Sequence, residues 1–356
     1  MKKKLLIAFI IVLLVSCCVL SACSNNNTPQ ETTPRTVIDM KGTEVTLPDT
    51  VSRYLVLWKC HTGVLAMLDS CDGLVGCDYS VSKSGDAWLF ELCPNAKDIV
   101  VVGEDITPEE VVALNVDVVF WQSNACAELA SQLIELGIAA VNVDYTDYSS
   151  MKKSVTLTAD VLGTEKAKSK ATQFNAYLDK TISDVQSITA NIKEEDKVTV
   201  LNLRKFSTLR ADGKDTVADV WINMCGGINV VSQADLKGNQ YLTAEQVLAW
   251  DPDFIVSSNL GDDAAIAADD VYKELSAVKN NNVYVNPQGM FWWNRYCIET
   301  ILQLKWALTK MYPSLSTEIN METETKSFYK QFFNYDLSDK DVANILSALP
   351  PENYSK

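Results

Sequence analysis

The sequence predicts an α/β protein of two parallel-sheet lobes separated by a long helix, on three observations. Short apolar runs alternate with helical patterns in both halves of the chain. An almost unbroken helical stretch lies between those halves, and one motif occurs twice, once in each. Short apolar strands interleaved with helices are the pattern of parallel α/β units, whose sheets are covered on both faces.

The first element precedes the folded region. Lys2, Lys3 and Lys4 form a basic start, and Leu5 to Val15 is a continuous apolar run. Such a run is shorter than the ~20 residues a membrane-spanning helix needs and fits the core of a signal peptide. It ends in Leu20-Ser21-Ala22-Cys23, which resembles the lipobox of bacterial lipoproteins. That resemblance implies a signal peptide over 1–22 and a lipid on Cys23, anchoring the mature chain outside the cytoplasm. Residues 23–35, rich in Asn, Thr and Pro, read as a flexible linker because they cannot bury enough apolar surface to fold. No second segment is long and apolar enough to span a bilayer.

Residues 36–148 read as the first lobe, with strands at 54–58, 74–77, 116–121 and 139–143. A connecting helix follows over 149–192, dense in Ala, Lys, Glu, Gln and Leu and interrupted only by Gly163. The second lobe, 193–335, carries strands at 198–201, 254–256 and 283–285 and closes with helices near 299–312 and 317–333. Residues 336–356 read as a tail. What remains after the signal exceeds what one hydrophobic core usually organises, so two lobes are the natural expectation.

The repeated motif is the most informative feature. Thr107-Pro108-Glu109-Glu110-Val111 runs on through Asn115-Val116-Asp117 into a strand. Thr243-Ala244-Glu245-Gln246-Val247 runs through Asp251-Pro252-Asp253 into another. Both open with Thr as N-cap and Glu or Gln three residues on, the capping-box pattern. Each short helix therefore carries a first-turn glutamate, Glu109 or Glu245. These either complement their helix dipoles, worth ~0.3–1 kcal/mol apiece, or serve as a functional pair.

The formal net charge is -15, so a nucleic-acid partner, which would want a basic surface, is excluded. Seven cysteines lie beyond the signal and Cys23, an odd number at irregular spacings with no C-x-x-C pair. No zinc site or disulfide framework follows from that pattern, although one bridge such as Cys71–Cys93 is compatible with it.

A family resemblance rests on four segments taken in order. The opening Thr36-Val37-Ile38-Asp39-Met40-Lys41-Gly42 through Arg53-Tyr54-Leu55-Val56-Leu57 is similar to that of substrate-binding proteins for iron-complex, haem and cobalamin ABC importers. The Glu109 and Glu245 segments resemble that family's two lobe-tip helices. Gly226-Gly227-Ile228-Asn229-Val230-Val231 resembles its start of the second lobe, and Asn286-Pro287-Gln288-Gly289 onward to Tyr312-Pro313 its penultimate loop and helix. The resemblance implies two α/β lobes on a single backbone helix, with a ligand cleft between them. It also implies that Glu109 and Glu245 dock onto arginines of a permease dimer served by an ATPase, and that the ligand is a metal chelate, most simply a ferric siderophore. Haem, a corrinoid or a molybdate- or tungstate-type oxyanion are the other ligands it allows; an exported hydrolase or adhesin is the reading from a different class.

In parallel α/β lobes, ligands bind beyond the carboxyl ends of strands. Candidates there are Trp58, Lys59, His61, Tyr79, Trp121 and Gln122 in the first lobe, and Arg204, Arg210, Asn259, Trp292, Trp293 and Arg295 in the second. The tryptophans would stack on flat or apolar ligand surface, and the cations would meet negative charge. Trp292 and Trp293 cannot both face one way on an extended loop, so at least one packs inward. His61, the single histidine, is either an axial ligand to a haem or corrinoid metal or a hydrogen-bonded residue at a helix start. With one histidine, no P-loop and no G-x-S-x-G, the sequence offers no catalytic set and no intrinsic cofactor site.

Overall fold

Arg35, assigned above to the linker, is the first residue of the fold. It opens β1 (Arg35–Ile38), which pairs antiparallel with β2 (Glu44–Leu47) in a computed structural model that describes residues 34–78, 81 and 86–354. Its guanidinium donates to the carbonyls of Pro48, Asp49, Asp160 and Val161, tying the hairpin to a helix over a hundred residues away. The expected signal peptide, the expected lipidation site Cys23 and the cleft candidate Tyr79 lie outside the described residues.

The first lobe is built on five strands: β3 (Tyr54–Val56), β4 (Leu74–Asp78), β5 (Val100–Val102), β6 (Val118–Trp121) and β7 (Ala139–Asn142). All pair in parallel, in the order β5-β4-β3-β6-β7. The order reverses direction at β3 and β6, so the loops leaving these two strands diverge and open a crevice between them.

The second sheet contains β8 (Thr199–Lys205), β9 (Arg210–Asp212), β10 (Ile228–Asn229), β11 (Asn239–Tyr241), β12 (Phe254–Ser257) and β13 (Val283–Val285). β8, β12, β13 and β10 pair in parallel, as the apolar pattern predicts. β9 and β11 add an antiparallel edge to it. The sequence reading missed that edge because its residues are polar; Leu209 turns the chain at φ 45° and brings Arg210 back beside β8.

The two copies of the motif fold alike. Thr107 and Thr243 each accept a hydrogen bond from the backbone N–H three residues on, and Glu110 and Gln246 return the bond to the cap backbone. Asn115 and Asp251 both take positive φ to end the helix. Asp117 then accepts from Ser52 and Arg53, and Asp253 from Thr199, so each aspartate ties its strand to the start of the central strand of its sheet, β3 or β8.

The stretch expected as one helix from 149 to 192 is two. Tyr148–Leu162 ends at Gly163, which adopts φ +73°, and Thr164 caps a second helix, Glu165–Thr189. A left-handed glycine terminates a helix because it lets the chain satisfy the last carbonyls while turning away. The two helices pack side by side as a hairpin, with Asn175 bonded to Lys152 and Thr156. The first lies on the first lobe, where Ser154 bonds the carbonyl of Val143. The second, of 25 residues and about 37 Å at 1.5 Å per residue, is the single long helix that joins the lobes.

Residues 336–356 are not a free tail within the described range. The helix Asp339–Leu346 packs on Met321–Phe328 in the second lobe, and Gln288 N–H donates to the carbonyl of Ile345. From the first lobe, Trp88 Nε1 donates to the carbonyl of Leu349 at 3.0 Å and Tyr335 bonds Glu91. One apolar core accordingly runs from the first lobe through the connector into the second: Leu65, Met151, Phe174, Trp221, Trp293 and Tyr329 belong to one cluster. Such a continuous core leaves little freedom for wide hinge motion. Cys71 and Cys93 form a disulfide, while Cys60, Cys77, Cys126, Cys225 and Cys297 are free.

Candidate functional site

The loops that leave β3, β6, β8 and β12, together with the long loop after β13, carry the candidate site. β3 is followed by Trp58 and Lys59, both half-buried. Trp58 packs against Tyr145 at 5.2 Å and reaches across to Tyr296 of the second lobe at 6.0 Å. Tyr145 and Tyr296 themselves lie 5.9 Å apart. These three rings make an aromatic floor where the lobes meet. Lys59 pairs with the buried Asp86 at 2.9 Å and stands 5.4 Å over the ring of Phe291, from the opposite lobe.

Three arginines gather on the second lobe. Arg204, at the end of β8, bonds Asp212 through Nε and a terminal nitrogen at 2.8 and 2.7 Å. Arg210 bonds Asn239 and stands 5.7 Å over the exposed ring of Tyr241. Arg295 stacks 5.0 Å over Phe291, makes no ion pair among the described residues, and leaves its Nε buried without a partner. Burial, followed by the nearby charge of Arg204, holds the Arg295 guanidinium below its ordinary pKa. Of these three cations, only Arg204 is paired with a carboxylate, Asp212.

A buried polar chain holds Arg295 in this place. Asn294 accepts from Ser258 at the end of β12 and donates to Asn202 of β8 at 2.6 Å, and Asn202 donates to Asp212. The loop Met290–Tyr296 is thus pinned to the carboxyl ends of two strands. Gln122 bonds Asp144 at 2.9 Å at the mouth of the first lobe, and Asn259 is held by Asp262 at 2.6 Å.

Several expectations need correction. His61 does not line the cleft: its ring is fully buried between Trp58 and Phe120, and Nε2 bonds Thr158 Oγ1 at 3.1 Å. Burial pushes its pKa down to about 3, which keeps it neutral, and its full enclosure with Nε2 on Thr158 removes it as an axial ligand to anything in the cleft. Trp121 packs among Leu55, Val119 and Leu133, on the face of the sheet away from the aromatic floor. Trp293 is fully buried, with Nε1 on Glu299, while Trp292 beside it is half-exposed. The helix after β3 turns the sequence neighbours Trp58, Lys59 and His61 in different directions, which a linear pattern does not reveal.

The sequence reading missed Tyr145, Asp212, Asn239, Tyr241, Phe291 and Tyr296. Phe291 and Tyr296 could have been found, since they flank two candidates on the same loop. Asp212 and Asn239 sit on the polar antiparallel edge and carried no signal. Among the described residues no cluster of three or more His, Cys, Asp or Glu could hold a metal ion directly. Burial raises the Cys60 thiol to about 12 beside a His61 lowered to about 3, so the two cannot act as a thiolate–imidazolium pair.

Comparison with known proteins follows the same lines. Residues 56–289 match the profile of the family described as periplasmic binding protein. An ABC transporter substrate-binding lipoprotein of Bacillus subtilis, YvrC, is 26% identical over 260 residues, covering 71% of this chain and 78% of its own. The molybdate-binding protein MolA of Haemophilus influenzae is 22% identical over 329 residues, covering 84% and 91%. A solved periplasmic solute binding protein from Veillonella parvula superposes with a TM-score of 0.76 at 25% identity, over 88% of this chain and 97% of that one.

Proposed function

We infer the cargo from the premise that the chain belongs to the periplasmic binding protein family: it is the substrate-binding component of an ABC importer, and its ligand is an anionic metal chelate, most simply a ferric siderophore. The observation that carries this reading is the group of three arginines, of which only Arg204 is paired with a carboxylate, beside an aromatic floor on a chain of net charge -15. Guanidiniums gathered in a half-buried site favour an anion through charge-assisted bonds. The rings of Trp58, Phe291, Tyr145 and Tyr296 give that anion's organic part a flat apolar surface. A bulky chelate uses both features. Metal bound in this way is held by the chelator, which agrees with a site built from cations and rings. A bare oxyanion such as molybdate is the second reading, supported by the similarity to MolA.

The full-length protein purified from its native membrane distinguishes these. A ferric chelate gives a visible charge-transfer band and iron near one atom per chain. Molybdenum without iron would favour the oxyanion, a Soret band would favour haem, and a colourless, metal-free protein after growth with abundant iron would overturn the chelate reading.

The anchor belongs to the same proposal. Cys23 carries the lipid, supported by the lipobox-like Leu20-Ser21-Ala22-Cys23 and by the similarity to a lipoprotein. Cys23→Ala should accumulate as precursor and lose labelling by radioactive palmitate. Normal labelling of that variant would sink the assignment.

A further inference from the structure

Glu299 is the one charged residue in the run Cys297-Ile298-Glu299-Thr300-Ile301-Leu302, and it is buried, with 1% of its surface exposed. No lysine or arginine among the described residues pairs with it. Instead it collects donors. Tyr329 donates its hydroxyl to Oε1 at 2.5 Å, Trp293 Nε1 donates to the same oxygen at 3.3 Å, and Phe291 N–H donates to Oε2 at 3.3 Å. The Met290 N–H adds a fourth. Gly289 completes the arrangement, because a Cβ there would overlap both Glu299 Oε1 and the Tyr329 hydroxyl. Three of the four donors belong to the loop Met290–Tyr296, which presents Phe291, Trp292, Arg295 and Tyr296 to the cleft.

We propose that Glu299 is a pH-sensitive positioning residue, whose ionised carboxylate clamps the cleft loop Met290–Tyr296 and whose protonation loosens it. The clamp follows from donor and acceptor counts: a carboxylate is acceptor only and can take all four donors, whereas a carboxylic acid brings a proton of its own into the same space. Burial raises the Glu299 carboxyl to about 7, against the pull of its four donors in the other direction. The groups that face it are few. Cys297 on its own loop is held protonated by burial, as is Tyr329 on the turn Tyr329–Phe333, next to Tyr335. From the first lobe, uncharged Trp88 stacks on Tyr329 at 6.0 Å. Neither thiol nor phenol titrates near neutrality, so Glu299 alone supplies a transition there.

Two readouts should move in opposite directions. The folded carboxyl lies above its ordinary value of 4.5, so its contribution to global stability is complete below that pH and is lost as pH rises through about 7. Over the same range the loop tightens. The inference is independent of what the cleft carries, so it is tested on the full chain without ligand.

In protein labelled with ¹⁵N-tryptophan, the Trp293 indole N–H signal, assigned by its absence in Trp293→Phe, should titrate with a midpoint near neutral pH. Exchange of the Phe291 amide, corrected for its intrinsic rate, should slow at least several-fold across that midpoint. Glu299→Gln should abolish both transitions. Tyr329→Phe, which removes one donor to the charged form, should move the midpoint upward, and it keeps the test open should the glutamine variant fold poorly. A Trp293 signal that does not titrate in the wild type, or one that titrates unchanged in Glu299→Gln, would overturn the proposal.

Discussion

Replacing Glu109 and Glu245 together by alanine is expected to abolish uptake while leaving ligand affinity and folding intact. The two copies of the helix motif explain why. In each copy the threonine caps the helix, its partner Glu110 or Gln246 closes the capping box, and the aspartate ties the strand to its lobe. Among the repeated polar residues, Glu109 and Glu245 close no capping box, end no helix and tie no strand. Both are exposed and neither forms an ion pair among the described residues; Glu245 is held below its ordinary pKa by its own backbone N–H and the Thr243 hydroxyl. Their dipole contribution of ~0.3–1 kcal/mol each makes any loss in melting temperature a few degrees at most. Single variants should transport at intermediate rates, and reversal to lysine should be worse than alanine because it would set like charges against the permease arginines that the family resemblance implies. A double alanine variant that transports normally would show that the carboxylates have no part in docking. One that loses ligand affinity would show that they support the fold.

Arg295→Ala should weaken binding of an anionic chelate roughly ten- to a hundredfold, the loss of one charge-assisted contact at ~1.5–3 kcal/mol. Arg295 is the choice among the three because, among the described residues, its guanidinium bonds neither a carboxylate nor an amide and only stacks on Phe291. Removing Arg204 instead would strand Asp212, whose side chain is 3% exposed, and the cost to folding would mix with the cost to binding. Arg210 is partly occupied by Asn239 and Tyr241, so its alanine variant should show a smaller effect. Arg295→Lys keeps the charge but loses the planar fork and the stacking on Phe291, and should recover only part of the affinity. Isothermal titration with a ferric tris-catecholate, and with molybdate in parallel, measures all four variants. Unchanged affinity in Arg295→Ala for whichever ligand binds would mean that the arginine group does not face it.

The lobes were legible in the sequence because parallel strands buried on both faces leave continuous apolar runs, such as Val118-Val119-Phe120-Trp121 and Phe254-Ile255-Val256. The repeated helices were legible because capping boxes are written in adjacent residues. What escaped depended on contacts between distant parts of the chain. Gly163 was noticed as an interruption, but whether a lone glycine bends or ends a helix depends on what the next helix packs against. His61 and Trp121 stand next to cleft-facing strand ends yet turn into the core, and only the partners Thr158 and Leu133 determine that. Glu299 did carry a signal, a carboxylate in an otherwise apolar helix start, but its meaning lies in Tyr329 and Gly289, which approach it from elsewhere.

The segment that straps the lobes also orders events in time. Residues 338–349 are synthesised after both sheets, and they supply the carbonyl that Trp88 requires and the helix that covers Met321–Phe328. Each lobe can pair its strands early, and this late segment adds its contacts with both only when it returns across a separation of 261 residues. Contacts so remote in sequence form slowly, because the intervening chain must already be ordered before they gain anything. A chain emerging outside the cytoplasm would pass through a stage with two formed sheets and without the Trp88–Leu349 tie between the first lobe and the C-terminal segment.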